Sequence, residues 1–295
     1  GYQINAGTRN EEPGEEGLAH FCEHVTFKGT ERRKAWHILN CLESVGGDLN
    51  AYTNKEGTVY YSAILKEHIA RAVDLLTDIV FHSVYPQAEI DKEVEVICDE
   101  IESYNDSPAE LIYDEFENII FKGSPLGHNI LGTAEQVRSF KTEDALRFTR
   151  KLYRPDNAIF FAYGDIDFKK LVKLIRKALA DDDSGKVAEN AANSVGKLAE
   201  EKLPQISQIT QISGDENSIT TEKSVSSVKS VGPKNYPSVG DGIAGQTIVM
   251  QKNTHQAHVM IGTRAYDVND SRRMPLYLLN NMLGGPGMNA KLNLA

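Results

Sequence analysis

The sequence predicts an α+β fold in which helices cover one face of a β-sheet. Helix-like and strand-like segments are interspersed along the first 180 residues. The predicted strands are 48–53, 58–65 and 157–163. The predicted helices are 15–27, 33–45, 67–82, 87–104, 109–122, 142–152 and 167–180. Strands with helices on one face form a two-layer α+β domain.

The first predicted helix contains the pentamer His-Phe-Cys-Glu-His at residues 20–24. Histidines at positions i and i+4 lie one turn apart on the same side of a helix, so His20 and His24 can reach one metal ion. The Glu23 carboxylate borders the same face. The order His-x-x-Glu-His, the inverse of the common zinc-peptidase motif, supplies two zinc ligands and a carboxylate base.

A third ligand is expected from the predicted helix 87–104, because catalytic zinc usually takes three protein ligands. Its apolar residues recur at spacings of four, three and four, which is typical of an amphipathic helix. Spacing alone does not choose among four glutamates, which are Glu93, Glu95, Glu100 and Glu102. The alternative is that these acids form a solvated helix face.

Several stretches resemble a known family of metallopeptidases. The runs GLAHFCEHVTFKGT (17–30) and EVEVICDEIESYNDSP (93–108) are similar to the inverzincins, the relatives of pitrilysin, insulysin and the mitochondrial processing peptidase β-subunit. Further matches occur in the same order along about residues 1–180 and 246–295. These matches are GGDLNAYTNKEGTVYY, SPLGHNILGT, YRPDNAIFFAYGDID and LNNMLGGPGMNAKL.

The resemblance implies a fold, a metal and a set of roles. The expected fold is the mitochondrial processing peptidase/LuxS-like metallohydrolase type, with one Zn²⁺ per chain. In the family the third ligand lies 76 positions after the second histidine, which is Glu100 here. The resemblance makes Glu23 the base that takes a proton from the metal-bound water, and makes Glu93 a supporting residue that orients a ligand or that water.

These roles give two functional hypotheses. The first is a zinc-dependent metalloendopeptidase that hydrolyses peptide bonds in extended peptides. The second is a non-catalytic peptide-binding or assembly subunit of the same family. The presence of all five motif residues favours the first, and about one zinc per chain would distinguish the two. A structural zinc site fits poorly, because such sites usually have four ligands rich in cysteine.

Substrate binding is expected at a hairpin formed by residues 48–65. An exposed strand edge can accept a peptide as an additional strand, through backbone hydrogen bonds that tolerate many sequences. The resemblance assigns contact with the substrate backbone to Asn50 and Ala51. The alternative is an ordinary surface hairpin.

Composition limits the remaining possibilities. The chain has 295 residues and a net charge of −10, which argues against nucleic-acid binding and weakly favours cationic peptides. It has no apolar run long enough to predict a transmembrane helix. Three cysteines without framework spacing favour a reducing compartment, so a cytoplasmic location is expected and a periplasmic one is the alternative. The cysteines, and the histidines other than His20 and His24, are interpreted as packing or surface residues.

The predicted domain organisation has three parts. Residues 1–180 form the zinc-binding peptidase domain, which by resemblance lacks its first strands. Residues 181–245 form a linker, flexible in large part, and 246–295 begin a second, truncated homologous domain with a strand at 258–263. Some non-catalytic members of the family pair with active chains, so the resemblance makes a homodimer or a heterodimer with a second family chain possible.

Overall fold

The computed structural model describes residues 1–180, 248–251, 256–285 and 291–293. The chain divides into two compact units, Gly1–Asn235 and Tyr236–Ala295. The predicted linker 181–245 lies outside the described residues. In the second unit the described residues form one helix, Arg273–Gly284, and a 3-10 turn, Lys291–Asn293. Residues 258–263 form no strand, so that prediction is wrong.

The first unit contains a four-stranded antiparallel sheet. Its strands are β1 (Tyr2–Ile4), β2 (Asn50–Thr53), β3 (Thr58–Tyr61) and β4 (Ala158–Phe160). They lie in the order β2-β3-β1-β4, so β2 is an edge strand of the described sheet. Tyr2, Ile4 and Tyr60 are buried on one face, whereas Gln3 and Ile159 are exposed on the other. Burial is thus concentrated on one face, as is common in antiparallel sheets, although Val59 on the other face is also buried.

Eight helices in the described part of the first unit supply the second layer. Their bounds are α1 Leu18–Thr26, α2 Ala35–Glu43, α3 Ile69–His82, α4 Gln87–Asn105, α5 Pro108–Ile120, α6 Ala134–Ser139, α7 Thr142–Leu152 and α8 Phe168–Ala180. One hydrophobic cluster joins the buried face of the sheet to the apolar faces of α1, α3, α4 and α7. The predicted α+β two-layer fold is therefore confirmed. No helix in the described part of the chain is both long and apolar enough to span a membrane.

Most predicted helices begin and end within about three residues of the observed ones, and the predicted strands are longer than the observed strands. The main omission in the first unit is α6, which has six residues. Thr133 stabilises its start, because its hydroxyl accepts a hydrogen bond from the Gln136 amide at 3.3 Å. A reciprocal bond from the Thr133 amide to the Gln136 side chain completes a capping box.

A buried carboxylate fixes the segment that follows α1. Asp78 on α3 is fully buried, accepts a hydrogen bond from the Thr30 hydroxyl at 2.8 Å and forms ion pairs with Arg32 and Arg33. Asp74 lies one turn earlier and contacts the same arginines from a half-exposed position. A buried charge is tolerated only when it is paired and hydrogen-bonded, so this cluster holds residues 30–33 against α3.

Replacing Asp78 should therefore destabilise the first unit strongly. We expect Asp78→Ala to lower the free energy of unfolding by about 3 kcal/mol, because it leaves partly buried arginines without their carboxylate. Asp74→Ala is the matched control and should cost less than about 1 kcal/mol. Urea denaturation followed by circular dichroism measures both. Equal losses would contradict the importance given to the buried carboxylate.

Candidate metal centre

Helix α1 presents two histidines towards α4. The helix begins after Gly17, which has a left-handed backbone with φ of 94°. His20 and His24 are one turn apart, and their ring centroids are 4.6 Å apart. His20 is buried, whereas His24 is half-buried. Cys22 lies between them and is fully buried in the core, as expected for a packing residue.

Helix α4 brings Glu100 to these histidines. Its Oε2 atom lies 3.2 Å from His24 Nε2 and 3.7 Å from His20 Nε2. One ligand atom from each of the three side chains lies within 4.8 Å of the others. The Glu100 side chain is 46% exposed, so the cluster is open to solvent on one side.

Glu93, two turns before Glu100 on α4, contacts the Nδ1 side of the His24 ring. Its Oε1 atom lies 3.0 Å from His24 Nδ1, and its Oε2 atom lies 2.5 Å from Lys28 Nζ. Because a carboxylate accepts hydrogen bonds, the proton of neutral His24 is placed on Nδ1 and the lone pair on Nε2, which faces Glu100. This is the outer-shell arrangement that usually orients a metal-binding histidine.

The Glu23 carboxylate is anchored to the edge of the sheet. The Thr53 hydroxyl at the end of β2 donates a hydrogen bond to Glu23 Oε2 at 2.6 Å. Burial raises the pKa of Glu23, and the hydrogen bond from Thr53 and the charge of His24 oppose this rise. The result is a carboxylate whose pKa lies above its usual value, which is the direction that a base acting near neutral pH requires.

Without metal, the two histidines differ in their preferred charge. Burial lowers the pKa of His20 to about 4, and the neighbouring His24 contributes to this. Burial also opposes the charge of His24, but the hydrogen bonds that its ring donates to Glu100 and Glu93 raise its pKa to about 9. The hydrogen bond with His24 in turn lowers the pKa of Glu100. At neutral pH a proton on His24 therefore compensates the carboxylates that surround it.

The structure separates the four glutamates that spacing alone had left open. Glu93 and Glu100 both face α1. Glu95 instead pairs with Arg138 at 3.3 Å, and Glu102 is exposed. The structure thus brings the side chains of His20, Glu93 and Glu100 to His24, and Lys28 contacts Glu93.

The residues predicted to contact substrate lie at the start of β2. Asn50 is exposed and Ala51 is half-buried. Ala51 lies opposite Tyr60 on β3, on the face that carries the core, whereas Asn50 lies opposite Tyr61. The turn between β2 and β3 occurs at residues 54–57, as predicted. It is closed by a hydrogen bond of 2.9 Å from the Asn54 amide to the Gly57 carbonyl. Neither residue belongs to the cluster of His20, His24 and Glu100, so their role in substrate binding stays a prediction.

The donor set fits zinc. Two imidazole nitrogens and one carboxylate oxygen are the ligand types that zinc takes in catalytic sites, where a fourth position stays open. The partly exposed Glu100 leaves room for such a position. His24 also has the outer carboxylate that zinc-binding histidines usually have, whereas His20 Nδ1 is buried without a hydrogen-bond partner among the described residues.

Sequence reasoning missed four residues that organise this centre. Thr53 and Lys28 hold Glu23 and Glu93, respectively, and a Glu11–His128 pair holds the start of α1. These contacts join residues far apart in the sequence, so no local pattern reveals them. One signal was present: α1 starts at a glycine, which has no side chain to cap the helix, so an acceptor from elsewhere is needed.

Two family descriptions match the chain. Residues 1–134 match the description "Insulinase (Peptidase family M16)", and residues 139–294 match "Peptidase M16 inactive domain". His20, Glu23, His24, Glu93 and Glu100 all lie in the first matched range.

Relatives with this similarity are named as proteases. The chain is 30% identical to an uncharacterized zinc protease of Streptomyces coelicolor over 99% of this chain and 55% of that protein. It is 38% identical to the mitochondrial-processing peptidase subunit beta of Saccharomyces cerevisiae over 60% of this chain and 38% of that protein. The chain spans about half the length of the curated relatives it matches.

A solved structure shares the fold. The crystal structure of a protease from Helicobacter pylori matches with a TM-score of 0.58 and 26% sequence identity. The match covers 60% of this chain and 43% of that one.

The pKa values of the two histidines predict proton release on zinc binding. At pH 6 His24, with a pKa of about 9, is protonated, whereas His20, with a pKa of about 4, is neutral. Zinc requires both to be neutral, so binding should release about one proton, and the apparent affinity should rise about tenfold for each unit of pH between 6 and 8. Calorimetry in buffers of different ionisation enthalpy measures the release.

Glu93→Gln serves as the control for this measurement. It removes a carboxylate that raises the pKa of His24, so it should reduce the number of protons released. Proton release close to zero in the unmodified chain would show that His24 is already neutral without metal.

Proposed function

This chain belongs to the insulinase family, peptidase family M16, and from that membership we propose that it acts as a zinc-dependent endopeptidase on extended peptides. The observation that carries the proposal is the cluster of His20, His24 and Glu100, with Glu23 beside it. We assign one Zn²⁺ per chain to this cluster. When bound, zinc supplies Lewis-acid chemistry: it lowers the pKa of a water and polarises a peptide carbonyl.

Glu23 is the proposed general base. Thr53 holds its Oε2 atom, so the carboxylate is kept in one orientation with its second oxygen left to accept a proton. Burial raises the pKa of Glu23, which favours transfer of the proton from the attacking water and then its delivery to the leaving amine. The same carboxylate thus performs both proton transfers of peptide hydrolysis.

Glu93 is proposed as a positioning residue. It holds the Nδ1 side of His24, and this keeps Nε2 directed at the metal position. Lys28 compensates the charge of Glu93, so the carboxylate stays ionised in a half-buried position. Burial opposes that ionised form, but the hydrogen bonds from His24 and Lys28 lower the pKa of Glu93 below its usual value.

The proposed substrate site is the edge of β2. A peptide that pairs with β2 would extend past Thr53, whose hydroxyl contacts the catalytic Glu23. Asn50 and Ala51 are proposed to contact its backbone. Backbone pairing explains how an enzyme of this type accepts different sequences, since every residue of an extended peptide offers the same donor and acceptor.

A second candidate function is a non-catalytic peptide-binding or assembly subunit. It is favoured by one observation, the match of residues 139–294 to a domain described as inactive. The complete set of site residues within 1–134 supports the catalytic alternative. One relative is named as a subunit, and we propose that this chain likewise works with a second family chain or a second copy of itself.

Glu23→Gln should separate binding from catalysis. The amide preserves the size of the side chain but cannot accept the proton, so we expect peptide hydrolysis to fall by about 10²–10⁴-fold while the zinc content stays near one per chain. A fluorogenic peptide assay and elemental analysis of the native protein measure the two quantities. Loss of zinc in this variant would contradict the role given to Glu23.

Glu100→Ala should remove the metal. It deletes one of three ligands, so zinc content should fall from about one per chain to near zero after dialysis. Glu102→Ala is the matched control, because Glu102 is an exposed glutamate on the same helix and should leave zinc content unchanged. Zinc retained in Glu100→Ala would place the third ligand elsewhere. A wild-type protein without zinc would favour the non-catalytic alternative.

A further inference from the structure

A buried carboxylate caps the helix that carries the two histidines. Glu11 lies outside α1, and its side chain is only 1% exposed. Its Oε1 atom accepts a hydrogen bond from the Ala19 amide at 2.8 Å, and its Oε2 atom accepts one from the Gly17 amide at 3.2 Å. Glu11 thus binds the amide of the N-cap residue and one amide of the first helical turn, although it is six residues before the cap position.

The start of α1 needs a hydrogen-bond acceptor from elsewhere in the chain. The residue at the N-cap is Gly17, which offers no side-chain oxygen and has a backbone that other residues rarely adopt. An anion at a helix N-terminus is also stabilised by the helix dipole. Burial raises the pKa of Glu11, whereas the hydrogen bonds from His128, Ala19 and Gly17 favour its charged form.

His128 secures this carboxylate from a distant loop. Its Nε2 atom donates to Glu11 Oε2 at 2.8 Å. The same loop lies directly against the start of α1, because a Cβ atom on Gly17 would come within 2.6 Å of the Leu131 carbonyl oxygen. The loop between α5 and α6 therefore contacts the metal-binding helix both through a side-chain pair and through its backbone.

That loop also contacts the proposed substrate hairpin. Lys55, in the turn between β2 and β3, donates to the Leu126 carbonyl at 2.8 Å and to the His128 carbonyl at 3.1 Å. The backbone of His128 is thereby fixed by the hairpin while its ring is fixed by Glu11. His128 thus links the turn after β2 to the N-terminus of α1.

The capped turn contains His20. His20 is the third residue of α1, directly after Ala19. Its Nδ1 atom is buried and has no hydrogen-bond partner in the part of the chain that the structure describes. Glu93 binds Nδ1 of His24, but no described residue makes the corresponding contact at Nδ1 of His20, so on that side the backbone of the first turn and packing position its ring.

We propose that Glu11 and His128 form a positioning pair for the metal centre. By holding the first turn of α1, the pair sets the position of His20 relative to Glu100. This inference rests on the proposed function, since it concerns the same metal-binding helix. The centre would then depend on two more residues, Glu11 and His128, which belong neither to the His-x-x-Glu-His motif nor to its third ligand.

Three variants test the pair: His128→Ala, His128→Gln and Glu11→Gln. In His128→Ala we expect amides 17–21 of the metal-free protein to exchange about fivefold faster, because one support of the cap is lost. Zinc affinity should fall about tenfold, and the visible spectrum of the cobalt-substituted protein should shift as the ligand geometry changes. With a peptide substrate, kcat should fall, whereas KM should change little.

The conservative variant and the controls make the test specific. His128→Gln keeps a donor for Glu11 and should recover most of the zinc affinity. His68→Ala removes another histidine beside a glutamate, and Glu12→Gln changes an exposed neighbour of Glu11, so both should behave as wild type. If His128→Ala fails to fold, Glu11→Gln gives the same readouts.

Two results would overturn the positioning pair. One is unchanged exchange at residues 17–21. The other is faster exchange with unaltered zinc affinity and an unaltered cobalt spectrum, which would make the pair a helix cap and nothing more. A wild-type protein that binds neither zinc nor cobalt would instead overturn the proposed function, and the positioning pair with it.

Discussion

The contact between α1 and α4 is the interaction on which the candidate site depends. His24 meets Glu100 on one side of its ring and Glu93 on the other, and Lys28 neutralises the far oxygen of Glu93. Beneath these polar groups the two helices share the hydrophobic core, to which Phe21, Val25, Ile97 and Ile101 all belong. Apolar burial brings the helices together, and the charge pattern then favours the register in which histidines face carboxylates.

The same contact explains why the centre suits a divalent cation. Three carboxylates, those of Glu23, Glu93 and Glu100, lie close to His24 and are compensated in the metal-free protein by Lys28 and by a proton on His24. A cation of charge two at the histidines takes over the role of that proton. The carboxylates therefore favour the metal electrostatically, and the proton competes with it.

Sequence periodicity predicted the elements that bury a continuous apolar stripe, and it failed where tertiary contacts decide. Helix α4 was predicted almost to its ends, because Ile90, Val94, Ile97 and Ile101 mark one face. Helix α6 was missed, because six residues hold too few apolar positions to show a period and its start depends on a capping box. The pair at positions 20 and 24 followed from spacing, but the choice of Glu100 over its neighbours required the family resemblance.

His128 shows the limit of local reasoning most clearly. As an isolated histidine in a loop it was interpreted as a surface or packing residue, since nothing at helical spacing suggested a partner. Its partner Glu11 is 117 positions away, and the two meet only because the loop between α5 and α6 returns to the start of α1. The ligands of the candidate centre all lie on two helices, which can hold them more rigidly than loops. A helix is rigid along its length, yet its first turn is free to fray unless something outside it binds the amides. The buried carboxylate supplies that outside contact at the turn where His20 lies, so the rigidity of the metal-binding face extends to its first ligand.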